Sequence, residues 1–140
     1  MIRSLALALA LVSASALAAP PKGVSTELSR WLKAVKSGEP DRVAALLPEG
    51  AALAVSTEGA IRATPERTLD RTSLADALRA GQADALGLDR HLLLPRARDL
   101  GRVEGRWEAR DKRCPEVRWI FERVGKRWRL TRIVRVLLDC

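Results

Sequence analysis

Glu116-Val-Arg-Trp-Ile-Phe-Glu-Arg-Val-Gly-Lys-Arg-Trp-Arg-Leu-Thr-Arg-Ile-Val-Arg-Val-Leu-Leu138 reads as two β-strands joined at Gly125-Lys126. Glycine at the first central position suits a two-residue hairpin turn, because that position needs a positive φ. Pairing outward from this turn sets Val117, Trp119 and Phe121 opposite Val134, Arg132 and Leu130, with Arg123 opposite Trp128. The other face sets Glu116 opposite Arg135, Ile120 opposite Thr131 and Glu122 opposite Arg129. An apolar face and an ion-paired face emerge together, and a one-residue slip would exchange them.

Working back to the start of the chain, Met1-Ile-Arg3 supplies a positive charge and Leu5–Val12 an apolar run too short to span a bilayer. Ala16-Leu17-Ala18 before Ala19 has the small-x-small form of a cleavage site, so residues 1–18 are expected to be a signal peptide. Residues 19–24 then read as a linker and 25–140 as one domain, exported to the periplasm or beyond the cell. No second apolar stretch of membrane length follows, so no transmembrane anchor is expected after cleavage. With 47% hydrophobic and 30% charged residues, the composition is that of a globular domain with a modest core.

In an exported chain the two cysteines, Cys114 and Cys140, invite a disulfide. It would close a loop of about 27 residues, worth roughly 3–4 kcal/mol if chain entropy dominates. Free thiols or an intermolecular bridge through Cys140 are the alternatives. Two cysteines and a single histidine do not make a zinc site, and no glycine-rich nucleotide pattern is present, so neither metal nor cofactor is expected. The net charge of +8 is spread over the chain and not gathered in an arm. That spread argues against nucleic acid and leaves acidic lipid headgroups or a small anionic ligand as partners.

Between the linker and the hairpin, Ser25 or Thr26 is expected to cap a first helix bearing Leu28, Trp31, Leu32 and Val35 at helical spacing, ended by Gly38. Pro40 opens a second short helix with Val43, Leu46 and Leu47 on one face. Ala51–Val55 and Ala60–Ala63 look like a weak hairpin. Thr72 or Ser73 opens a third helix, stopped near Gly81. His91–Leu94 and Val103–Asp111 read as strands, the second alternating well. The order of elements describes an α+β domain with helices on one face of a bent sheet.

Two stretches carry a family likeness. Ser37-Gly-Glu-Pro-Asp-Arg-Val-Ala-Ala-Leu-Leu-Pro48 resembles the link between the first two helices of nuclear transport factor two-like proteins, the cone-fold or ketosteroid-isomerase-like superfamily. Val124-Gly-Lys-Arg-Trp-Arg-Leu-Thr-Arg-Ile133 resembles their final hairpin. The resemblance implies three N-terminal helices packed on a strongly curved antiparallel sheet, enclosing a conical pocket and often forming a dimer. The superfamily includes steroid isomerases, dehydratases, polyketide cyclases and members that only bind or scaffold, so fold does not settle function.

In such a cone the apolar hairpin face would line the pocket, with Trp119, Phe121, Trp128 and Leu130 as walls and Arg132 among them. An arginine on an apolar face needs a partner, because an unpaired buried charge is costly. A carboxylate or phosphate ligand would serve, and so would an internal acid. The local Asp89-x-His91 is the one acid–base pair with a precedent in cone-fold dehydratases and cyclases. The isomerase branch uses a tyrosine donor, and this chain has no tyrosine. Three functions follow as expectations. The first is capture of a small, partly apolar anionic ligand by Arg132 and the tryptophans. The second is a filled cone that makes a homodimer or docks partners through the outer sheet face around Ile120, Ile133 and Leu137. The third is isomerase- or dehydratase-type acid–base chemistry at His91.

Overall fold

The computed structural model describes residues 19–59 and 64–137. Two helices, α1 (Lys22–Ser37) and α2 (Pro40–Ala44), precede a hairpin of β1 (Leu53–Glu58) and β2 (Thr64–Leu69). Helix α3 (Arg71–Arg79) follows, then a long loop with one 3-10 turn at Ala97–Asp99. Four strands complete the chain: β3 (Gly101–Val103), β4 (Arg106–Asp111), β5 (Glu116–Val124) and β6 (Arg127–Val136). They join the first two in one six-stranded sheet of order β2-β1-β6-β5-β4-β3. This is the α+β layout that the cone-fold resemblance implies.

The sheet is mixed, where an antiparallel one was expected. β1 runs parallel to β6, with Val55 opposite Ile133, and every other neighbour is antiparallel. The parallel pair needs a crossover, which α3 and the long loop provide.

The caps show how local sequence sets the helices. Gly38 adopts φ +71 and its N–H donates to the Val35 carbonyl, ending α1 as expected. Pro40 occupies the first turn of α2, where its missing N–H costs nothing. Helix α1 starts at Lys22 behind Pro21, so the stretch expected as a linker is already helical from Lys22. Helix α3 is capped by Asp70, whose carboxylate accepts from the Ser73 N–H while the Ser73 hydroxyl closes the reciprocal bond. The run 103–111 contains a turn, with Glu104 at φ 49 and Gly105 at φ 78, which makes β3 and β4 a hairpin. His91–Leu94 is loop, not strand.

The β5–β6 hairpin pairs as expected near its turn: Phe121 with Leu130, Glu122 with Arg129, Arg123 with Trp128. Thr131 is then an extra residue. Beyond it Ile120 pairs with Arg132, Trp119 with Ile133 and Val117 with Arg135. Thr131 donates to the Glu122 carboxylate at 2.6 Å, a bond that holds the bulge. The inserted residue keeps Leu130 and Ile133 together on the inner face and sends Arg132 to the outer one.

The inner face carries the core. Trp31, Trp119, Phe121, Leu53, Leu69, Leu74 and Ile133 are all but fully buried, in one cluster spanning the helices and the sheet. Truncating any one of these large side chains to alanine costs about 2–5 kcal/mol. Ile120, Val134 and Val136 form a separate cluster on the outer face. No helix among the described residues is long and apolar enough to cross a membrane. Residues 1–18, and Cys140 of the expected Cys114–Cys140 bridge, lie outside the described residues.

Candidate functional site

The expected pocket residues separate into three places. Trp119 and Phe121 have no solvent exposure. Trp119 donates its indole N–H to the Gly87 carbonyl at 2.8 Å. The loop carrying Gly87 lies directly on the sheet there. A methyl group at Gly87 would stand 2.6 Å from an Ile133 methyl, and the residue has φ +70, so only glycine fits. Leu86, Leu88 and Leu92 of the same loop are buried with it. This segment occupies the space in front of Trp119 that the resemblance reserved for a ligand.

Arg132 is on the opposite face, across from Ile120, where it pairs with Glu66 of β2 at 3.0 Å. The Thr131 bulge is the physical reason that the expected Trp119–Arg132 neighbourhood does not form. Beside the Ile120, Val134 and Val136 cluster, the outer face carries a network of ion pairs. Glu116 holds Arg110 at 2.6 Å and Arg118 at 3.2 Å, not the Arg135 expected opposite it. Burial would raise the Glu116 carboxyl, but hydrogen bonds from Arg110 and Arg118 outweigh it and hold the group below the usual range. Ile133, expected on that outer face, is fully buried on the inner one.

His91 lies on an exposed loop. Its Nε2 accepts a long 3.4 Å contact from Arg90, and no hydrogen bond joins it to Asp89 among the described residues. The acid–base pair is not assembled. The carboxylate that organises this loop is Asp111, at the inner end of β4. It accepts from the Leu93 N–H at 2.9 Å and from the Arg113 N–H and guanidinium, while Arg113 also donates to the His91 carbonyl. The Arg113 guanidinium leads in holding Asp111 at a pKa of about 2, against the burial that would raise it. A charged residue ending the inward series Trp107, Ala109, Asp111 was the available signal for it. Among the described residues, no group of three or more acids, histidines or cysteines could hold a metal.

Leu130 and Trp128 do border open space. Glu27 and Trp31 lie one turn apart on α1, and the indole N–H donates to the Glu27 carboxylate at 2.8 Å. The same oxygen stands 3.5 Å from the Leu130 N–H, tying α1 to β6 beside the bulge. Next to this tie a cavity of about 350 Å³ opens, walled by Trp31, Leu46, Leu47, Val124 and Leu130, with Arg129 at its border. A second cleft of about 200 Å³ shares Glu27, Leu46, Pro48 and Arg129 with the first and adds Arg30, Arg127 and Trp128. Together they make a seam between α1 and the hairpin, apolar at one end and cationic at the other. The sequence reading missed it because the α2–β1 connection, which forms one wall, carries no chemical motif.

No protein-family model matches the sequence, and no curated protein does. Among solved structures, the chain is similar to an NTF2-like protein with a cystatin-like fold from Novosphingobium aromaticivorans, at 22% identity and TM-score 0.45, over 99% of this chain and 91% of that one. It is also similar to an NTF-2 like protein of unknown function from Shewanella oneidensis, at 12% identity and TM-score 0.43, over 81% and 96% of the two chains. A third, an NTF2-like protein of unknown function from Pseudomonas putida, has 13% identity and TM-score 0.43 over 81% and 82%.

Proposed function

We propose that this chain binds a small, partly apolar anionic ligand in the seam between α1 and the β5–β6 hairpin. The observation that carries the reading is the continuity of two cavities through Arg129 and Leu46, one walled by Trp31, Leu47 and Leu130, the other bordered by Arg127 and Arg129. The apolar part of the ligand fills the first, and its carboxylate or phosphate meets the arginines of the second. Arg127 and Arg129 have no ion-pair partner among the described residues, whereas Arg132 is paired with Glu66. The anchoring role expected of Arg132 therefore passes to Arg127 and Arg129, and Leu130 and Trp128 keep theirs.

Titration with decanoate, followed by tryptophan emission, tests this reading. The expected result is saturable binding that weakens about tenfold in Arg129→Leu, the loss of one charge-assisted contact. Ala52, in the α2–β1 connection, also lines the first cavity; Ala52→Phe should block it, and Arg132→Leu should leave the affinity unchanged. Equal affinity in Arg129→Leu and Ala52→Phe would refute it.

The packed interior around Trp119 supports a second reading, an accessory module that forms a homodimer through the outer sheet face. Ile120, Val134 and Val136 are the buried apolar cluster of that face. Native mass spectrometry separates the two: a small mass released on denaturation favours the ligand, and a dimer without one favours the module.

A further inference from the structure

Next to the seam, and sharing Arg127 and Trp128 with it, the tip of the hairpin gathers further cations. Val124, just before the turn, is 50% exposed and is one of only three large apolar side chains so exposed among the described residues. Arg123, Lys126 and Arg127 surround it in the chain, and Lys22 at the start of α1 stands beside them. These four cations and Trp128 line an open cleft of about 510 Å³. None of the four has an ion-pair partner among the described residues. Glu27 and Arg30 line the same cleft, and the Glu27 carboxylate is held by Arg30 and the Trp31 indole. Other arginines on or next to the sheet are paired with acids: Arg110 and Arg118 with Glu116, Arg132 with Glu66, Arg113 with Asp111.

A polyanion with bases would want a flat aromatic platform. Trp128 does not present one. Its ring packs against Gly23 so closely that a methyl group there would lie 3.0 Å from Cδ1. An exposed apolar side chain beside a turn, with unpaired cations on both sides of it in the chain, has instead the make-up of an interfacial contact: the cations meet phosphates and the apolar side chain enters the headgroup layer.

We propose that the β5–β6 turn and the start of α1 form a docking face for membranes carrying acidic phospholipids. Val124 enters the headgroup region, and Lys22, Arg123, Lys126 and Arg127 lie on the lipid phosphates.

Vesicle co-sedimentation with the full chain tests this. Pure phosphatidylcholine vesicles are compared with vesicles in which one lipid in three is phosphatidylglycerol. The Arg123→Glu/Lys126→Glu variant is run alongside, so that any contribution of residues 1–18 is common to both proteins. The expected result is preferential binding to the anionic vesicles, weakened at least about tenfold by the double reversal and several-fold by Val124→Asp. Raising salt from about 50 mM to about 500 mM should weaken it further. Lys22→Glu repeats the charge test from the helix side, independently of the hairpin. Equal binding to neutral vesicles, or an unchanged preference in the reversed variants, overturns the proposal. So does tighter binding to a single-stranded oligonucleotide than to the anionic vesicles, which would assign the patch to nucleic acid.

Discussion

The two ends of the inner sheet face differ although the same two strands build both. At the far end of the hairpin, Trp119, Val117 and Ile133 lie buried under the Gly87 loop and in contact with it. At the turn end, Leu130 and Trp128 face helix α1 across a seam with about 350 Å³ and 200 Å³ of open space. The side chains are of similar kind at both ends. What differs is the cover: an apolar loop with a glycine at the point of contact on one side, a helix tied to β6 through Glu27 on the other. An apolar strand face therefore says that something will cover it, and the covering element decides whether a ligand can enter.

The largest expected effect breaks the closed end. Gly87→Ala combines a positive φ with a clash against Ile133 and should destabilise the domain by about 3 kcal/mol, read by urea denaturation. Trp119→Phe leaves the Gly87 carbonyl without its donor and opens space in the core, for a loss of about 2 kcal/mol.

Asp111→Asn loosens the loop from its other side and adds a pH signature. The Asp111 pKa is depressed from 3.8 to about 2, so its stabilisation is fully present above pH 4 and is lost as the pH falls towards 2. The gap between the native chain and the variant should be about 2 kcal/mol at neutral pH and close across that acid window. A gap that stayed constant down to pH 2 would remove the assignment. The smallest effect is at the outer face. Arg132→Leu breaks a half-exposed pair with Glu66 and should shift stability by less than about 1 kcal/mol. Were Arg132→Leu instead to cost as much as Trp119→Phe, the outer and inner faces would not be energetically distinct as described.

Much of the fold was legible because it depends on neighbours in the chain. The Gly125 turn, the Gly38 stop and Pro40 at the start of α2 follow from backbone freedom at single residues. The alternation of β5 and the spacing of Leu28, Trp31 and Val35 follow from the periods of strand and helix. Less of the candidate site was legible. Leu130 and Trp128 border open space, but Trp119 and Phe121 are core, Arg132 is on the outer face, and no hydrogen bond joins His91 to Asp89 among the described residues. Trp31 and Leu47 looked like ordinary core residues. Only their position next to the α2–β1 connection makes them walls.

By itself, then, the amino-acid sequence determined the α+β class, the two strands of the final hairpin and the pairing next to its turn. These rest on interactions a few residues apart, which a pattern records. The tertiary structure alone decided the Thr131 bulge, the parallel β1–β6 pair, the loop seated on Trp119 and the seam that remains open. The bulge breaks the alternation of β6, setting Leu130 and Ile133 on one face although they are three residues apart, so a reading that keeps strict alternation through the strand misplaces Arg132. Cover and cavity arise between segments distant in sequence, where volume and hydrogen-bond partners, not periodicity, select the arrangement.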